Sequence, residues 1–224
     1  MSSSTLVRWS GLTALVGFAF WAAVGVTNFL VIPKDVATSV AATSNAWFVL
    51  FLLVVIGNLL MLGGLVGLYV HQAEKAGTFG LIAFLMTFIG IAMGYAWIWM
   101  ETFVWPLLAQ AAPRLLDHPD QYSATPLLVW GLLTPLMWYG GWLLFGVASL
   151  RARVLPRWAA VLVMVGAVLQ FVLGEGLVGV NVPFGGTLAA LGFAWMGYAV
   201  WSRKRVTPES LAPMTEGGPS LAAR

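Results

Sequence analysis

Charge is what this chain has least of. Only 8% of its 224 residues are Asp, Glu, Lys or Arg, against about 25% in an ordinary soluble domain. A soluble fold so poor in charge could not cover its own surface. With 60% hydrophobic residues and a mean hydropathy of +0.90, the chain reads as an integral membrane protein. Cysteine is absent, which excludes disulfides, thiolate metal sites, iron–sulfur clusters and CxxCH haem attachment. The two histidines, His71 and His118, fall at opposite predicted ends of the bundle and cannot bracket one haem. The sequence contains no HExxH, no His/Asp/Glu cluster at metal spacing, no GxSxG and no Gly-rich phosphate loop. No Ser and His share a depth for acyl transfer, and no lysine lies mid-helix, so a retinal Schiff base is excluded. No cofactor, metal ligand or catalytic residue is therefore expected. The missing nucleophile–base set weighs against an enzyme without deciding the matter.

What is there is a set of long apolar runs. A bilayer core needs about 20 apolar residues per helix, and six stretches qualify: about 7–31, 46–71, 78–104, 125–150, 158–178 and 182–202. Polar or helix-breaking clusters such as Pro33-Lys34-Asp35, the His71–Lys75 stretch and Arg151-Ala152-Arg153 separate them. The fold class expected is all-α: a polytopic domain over 1–204 with six transmembrane helices, followed by a disordered polar tail over 205–224. The first run lacks a clear small-x-small cleavage site and is read as a retained helix.

Charge placement orients the spans. With six helices, Arg8, Lys75, Arg151, Arg153, Arg157, Arg203, Lys204, Arg205 and Arg224 share one side, and only Lys34 and Arg114 lie on the other. That positive-inside asymmetry puts both termini in the cytoplasm. Trp9, Trp158 and Trp201 fall at inner boundaries, and Trp47, Trp105 and Trp130 near outer ones, as an aromatic belt would. The basic face suits anionic headgroups and is too sparse for nucleic acid.

Small residues recur at helix-packing spacing, in Gly63-Gly64-Leu65-Val66-Gly67 and Gly90-Ile91-Ala92-Met93-Gly94. They point first to contacts within the bundle and second to a homodimer. Pro106 and Pro135 should end or kink their helices. Gly17-Phe18-Ala19-Phe20-Trp21 echoes Gly192-Phe193-Ala194-Trp195, and internal repeats are frequent in transporters.

Glu101 and Glu175 are the two acidic residues inside the spans, and ionisable groups at membrane depth are functional candidates by default. Stepping back from Glu101 by threes and fours meets Trp97, Gly94, Gly90, Thr87 and Ala83, so its face should point into the bundle. At ~1.5 Å per residue, Glu101 rises roughly 34 Å from the inner surface and Glu175 roughly 26 Å. Asn28 and Asn181 reach a similar level. These six, Glu101, Glu175, Trp97, Trp105, Asn28 and Asn181, form the candidate ligand-binding set, in a vestibule open to the outside. The alternative is that both glutamates meet only water at the headgroups. Asn58, Gln170, Tyr95, Tyr139 and Tyr198 are read as interhelical hydrogen-bonding groups.

The stretch Leu144–Trp158, with Arg151-Ala152-Arg153-Val154-Leu155-Pro156-Arg157-Trp158 at its core, resembles the inner-loop signature of a bacterial family of six-helix integral membrane proteins of unknown function. The resemblance implies a six-helix bundle in a bacterial inner membrane and transfers no site residue. The same motif also has a simple physical cause, with Pro opening a helix, Arg meeting headgroups and Trp anchoring the interface.

The expected role is non-enzymatic: a small subunit of a membrane complex, or a binder of lipid or another apolar ligand in an outward-facing, Trp-lined pocket. Partners are membrane lipids, with other membrane subunits or a second copy as further candidates. The alternatives are a proton-coupled secondary transporter using Glu101 or Glu175, and a membrane enzyme acting on lipid.

Overall fold

A backbone surrounded by hydrocarbon must satisfy its own N–H and C=O groups, so long apolar runs become helices. The computed structural model describes residues 3–33, 35–118, 125–176 and 184–202, and among them the chain is helical with no strand. The elements are α1 (Ser3–Val31), α2 (Thr38–Ala42), α3 (Asn45–Phe103), α4 (Trp105–Ala111), α5 (Arg114–Asp117), α6 (Thr125–Ala152), α7 (Arg157–Leu169), a π-helical turn (Gln170–Gly176) and α8 (Phe184–Trp201). Among the described residues, four stretches are long and apolar enough to cross a membrane: Thr5–Val31, Asn45–Phe103, Leu128–Ala152 and Arg157–Gly174. Lys34, Asn181, Arg203, Lys204, Arg205 and the tail lie outside the described residues.

Helix α3 is a hairpin. Gly77 has φ 56° and ψ −154°, a conformation that glycine adopts at little steric cost. In a straight helix residues 69 and 84 would stand ~22 Å apart. Instead the Tyr69 and Phe84 rings stack at 4.5 Å, and Trp47 Nε1 donates to the Glu101 carbonyl at 2.9 Å. The expected break at His71–Lys75 is displaced. Gln, Ala, Glu and Lys are good helix formers, and the helix runs through them until Gly77 reverses it.

Helix contacts run in a closed order. The first arm of α3 packs on α1, its second arm on α6, α6 on α7, α7 on α8, and α8 back on α1. The paired small residues decide how close these neighbours come. A Cβ at Gly64 would strike the Ala14 backbone, and one at Gly67 would strike Ser10. The Gly63-to-Gly67 segment therefore serves packing within the chain, through Gly64 and Gly67. Gly63 faces open space. Aromatic rings fill the centre. Phe18 stacks on Phe193 at 4.4 Å, joining the two Gly-Phe-Ala segments, and the buried Trp142 presents its edge to both rings.

The chain ends of α1 and α8 meet at one end of the bundle, here the near end. Gly11 abuts the Trp201 backbone, and Arg8 Nε donates to the Trp201 carbonyl at 3.2 Å. A guanidinium at a helix C-terminus satisfies an orphan carbonyl and complements the dipole. Lys75, Arg151, Arg153 and Arg157 share this end. Arg151 lies over the Phe79 ring at 4.5 Å. Helix α6 closes through Arg153, which holds φ 55° although it is not glycine. Pro156 stands at the N-cap of α7, one residue before the first helical position expected for it.

The far end carries the short helices. Ser44 caps α3 by accepting from the Trp47 N–H at 3.1 Å. Pro106 lies at the start of α4, and α3 ends at Phe103 just before it. Asp117 of α5 grips α2: the Ser39 N–H donates to Oδ1 and the Ser39 hydroxyl to Oδ2, each at 2.8 Å. The Ser39 amide, then the Ser39 hydroxyl, hold the Asp117 carboxyl below the usual carboxylate range, and His118 adds to this. Trp9 and Trp158 are more than half exposed, as a belt requires. Trp47 is not part of such a belt. It is buried with Ala41, Ala42, Phe51 and Leu116, because its ring is stacked between Phe51 and Trp105.

Candidate functional site

The second arm of α3 and the first half of α6 cross at the far end. Gly90 and Gly94 make the crossing close enough for one indole. A Cβ at Gly90 would strike the Trp138 backbone, and one at Gly94 the Trp138 ring. Trp138 leans on Trp21 of α1, with ring centroids 6.1 Å apart. Beyond this contact the helices line a half-open cavity of about 470 Å³. Its walls are Trp21, then Gly94, Trp97, Ile98 and Glu101 of α3, then Trp130, Gly131, Thr134, Pro135, Trp138 and Tyr139 of α6.

Glu101 is the carboxylate in this lining. Trp97, one turn earlier, donates its indole N–H to Glu101 Oε1 at 2.9 Å and so fixes both side chains. The Glu101 carbonyl, an orphan acceptor near the helix end, receives the Trp47 indole N–H. Trp105 stacks on Trp47 at 5.7 Å and presents its edge to Trp97 at 6.0 Å. It therefore stands behind the wall it was expected to line, because Pro106 starts a new helix there and turns Trp105 away from the Glu101 face.

Helix α6 contributes the unusual wall. Pro135 has no N–H, so the carbonyl of Gly131, four residues earlier, loses its helical donor. Trp138 is 6% exposed, and its Nε1 has no hydrogen-bond partner among the described residues. Thr134 Oγ1 is likewise buried without one. Both lie on the α6 side of the cavity, and similar atoms, Trp142 Nε1 and Ser149 Oγ among them, occur farther along α6.

Asn28 sits on α1 outside the lining, half-buried, with its carbonyl accepting from Ile32. Glu175 belongs to the π-helical turn, but its side chain and all of Asn181 fall outside the described residues. Of the six expected residues, the cavity brings together Glu101 and Trp97. Gln170 accepts the Gly186 N–H at 2.8 Å, capping the first turn of α8. Trp21, Thr134, Trp138 and Tyr139 were not in the expected set, yet α6 carried a legible signal for most of them. Trp130, Thr134 and Trp138, and beside them Gly131, Pro135 and Tyr139, repeat every four residues and so share one helix face. No three His, Asp or Glu side chains among the described residues are placed to hold a metal.

Comparison with protein-family models, with curated proteins and with solved structures finds no match. The site must be understood from its own chemistry.

Proposed function

We propose that this chain is a six-span inner-membrane protein, with both termini cytoplasmic, that binds a lipid or other apolar ligand in the far-end cavity. The hairpin at Gly77 divides α3 into two arms of membrane-spanning length, which raises the four candidate spans to five, and the 18-residue α8 would supply the sixth. The near end gathers Arg8, Lys75, Arg151, Arg153 and Arg157, while Arg114 is at the far end, a bias that supports a cytoplasmic near end. The carrying observation is the cavity of about 470 Å³ with four indoles in its wall. Its size and largely apolar lining suit a small ligand or a lipid headgroup region.

Gly131 offers a direct test. It lines the cavity, and a Cβ there meets nothing within 4 Å. Gly131→Phe should therefore fill the cavity with the fold intact. Native mass spectrometry of the wild-type protein in mild detergent should show a retained small molecule or lipid, and Gly131→Phe should lose it. Equal retention by both proteins would sink the binding proposal.

One observation favours a transporter as a second possibility. Helix irregularities adjoin the site, at Pro135 in the wall and at the π-helical turn, whose Gln170 holds Gly186 next to Trp21. In that case Glu101→Gln would abolish proton-linked uptake in vesicles. Normal uptake by that variant would remove the transporter reading.

A further inference from the structure

Three of the near-end cations are crowded into one turn. Between α6 and α7 the chain reads Arg151-Ala152-Arg153-Val154-Leu155-Pro156-Arg157-Trp158, and Arg151, Arg153, Arg157 and Trp158 are all exposed. Each cation is an arginine, whose planar guanidinium can meet two phosphate oxygens at once, where an ammonium acts as a point charge. Two of the three are held against ring faces. Arg151 lies over Phe79 at 4.5 Å and Arg157 over Trp158 at 5.3 Å. Stacking engages the guanidinium face and leaves the N–H donors at its edge for another partner. None of the three meets a carboxylate among the described residues. Arg8, by contrast, donates to the Trp201 carbonyl. The backbone points the same way. Arg153 closes α6 at φ 55°, where glycine is the least strained residue. A strained conformation kept by a charged residue points to a use for its side chain.

We propose that this turn binds the phosphodiester of an anionic phospholipid, with Arg151, Arg153 and Arg157 as its donors. Free phosphate carries the same oxygens, and the position of the turn favours the lipid. Arg157 is the first residue of a stretch long and apolar enough to span a membrane, Arg157–Gly174, so it stands at headgroup depth. Trp158, Val165 and Val168 follow at helical spacing and are exposed, which gives an acyl chain an apolar track below the phosphate. The inference shares with the proposal above the reading that the chain spans a membrane, and it makes no use of the far-end cavity.

The experiment uses the full chain in a maltoside detergent, which presents no charged surface, with native mass spectrometry to count bound lipid. Phosphatidylglycerol should be retained in preference to phosphatidylcholine. Arg151→Gln and Arg153→Gly should each weaken that retention roughly fivefold or more, the effect of one basic residue at an anionic surface. Arg153→Gly is the sharper variant, because its lost lipid should accompany a higher Tm and so cannot be laid to a weaker fold. Lys75→Gln removes a near-end charge outside the turn and should leave retention unchanged. In Gly131→Phe, whose far-end cavity is filled, phosphatidylglycerol should still be retained. Equal losses in Lys75→Gln and Arg153→Gly would reduce the turn to diffuse surface charge and overturn the site. Equal retention of the two lipids, or displacement of phosphatidylglycerol by an excess of inorganic phosphate, would overturn it as well. Loss of all bound phosphatidylglycerol in Gly131→Phe, with none in Arg153→Gly, would assign the lipid to the cavity; the binding proposal would then stand and this one would fall.

Discussion

At the near end of the bundle, Gly64 lies against Ala14, Gly67 against Ser10 and Gly11 against the Trp201 backbone. Small residues face small residues, the helices approach backbone to backbone, and little space is left between them. Toward the far end, Gly90 meets the Trp138 backbone, and Gly94, four residues on, meets the Trp138 ring. Here Gly94 admits a large ring. Beside that ring, the proline-bearing half of α6 forms one wall of a half-open cleft of about 470 Å³. One sequence signal thus has two structural outcomes, and the facing residue selects between them.

The strongest way to break this comparison is to add volume where only backbone can receive it. Gly64→Leu meets the main chain of Ala14, which cannot swing aside as a side chain does. Overpacking costs roughly 1–3 kcal/mol and sometimes more, so thermal unfolding in detergent should show a loss at or above the top of that range. Its neighbour Gly63 faces open space, and Gly63→Ala should stay within ~0.5 kcal/mol of wild type. Equal losses at the two positions would refute the account of the near end.

Relief of strain comes next. Arg153 holds φ 55° where α6 closes, and a non-glycine residue there costs about 1 kcal/mol. Arg153→Gly should raise stability by about that amount, read as a higher Tm. An unchanged or lower Tm would show that the arginine side chain contributes more than its backbone costs.

At the far end, Trp138→Phe keeps an aromatic ring while removing a buried donor that has no partner among the described residues. An unsatisfied buried donor costs ~1–3 kcal/mol, so its loss offsets the smaller ring, and the change should lie within ~1 kcal/mol of zero. A large destabilisation would mean that the indole N–H is satisfied in the folded protein.

The smallest effect belongs to the Asp117–Ser39 clamp. Its folded-state pKa is lowered, so the clamp contributes above the ordinary carboxylate range and fades as pH falls through the lowered value. Asp117→Asn at neutral pH should leave Tm unchanged and increase protease cutting within 36–44. Unchanged cutting would show that the carboxylate does not hold α2.

Much of this architecture was legible because lipid solvation leaves few options. Apolar runs of about 20 residues must be helical, and the described residues of those runs are helical. The Gly90–Gly94–Trp97–Glu101 face was readable from three- and four-residue spacing alone, and three of its members line the cavity. The site was less readable elsewhere. Trp105 and Asn28 were placed by depth, and depth says nothing about rotation around the helix axis. Trp21 and Trp138 were passed over because a tryptophan in an apolar helix has no sequence mark that separates lipid-facing from inward-facing. Trp138 turns inward because Gly94 on a different helix leaves room for its ring.

Sequence alone determined the helical class, the basic end and the presence of a carboxylate on a small-residue face, since each follows from hydropathy, charge and the 3.6-residue period. Tertiary structure decided which glycines meet backbone and which meet indole, that Trp47 is interior, and that Glu101 shares a chamber with Trp21, Trp130 and Trp138. Those outcomes depend on contacts between residues far apart along the chain, and local spacing carries no information about what stands opposite.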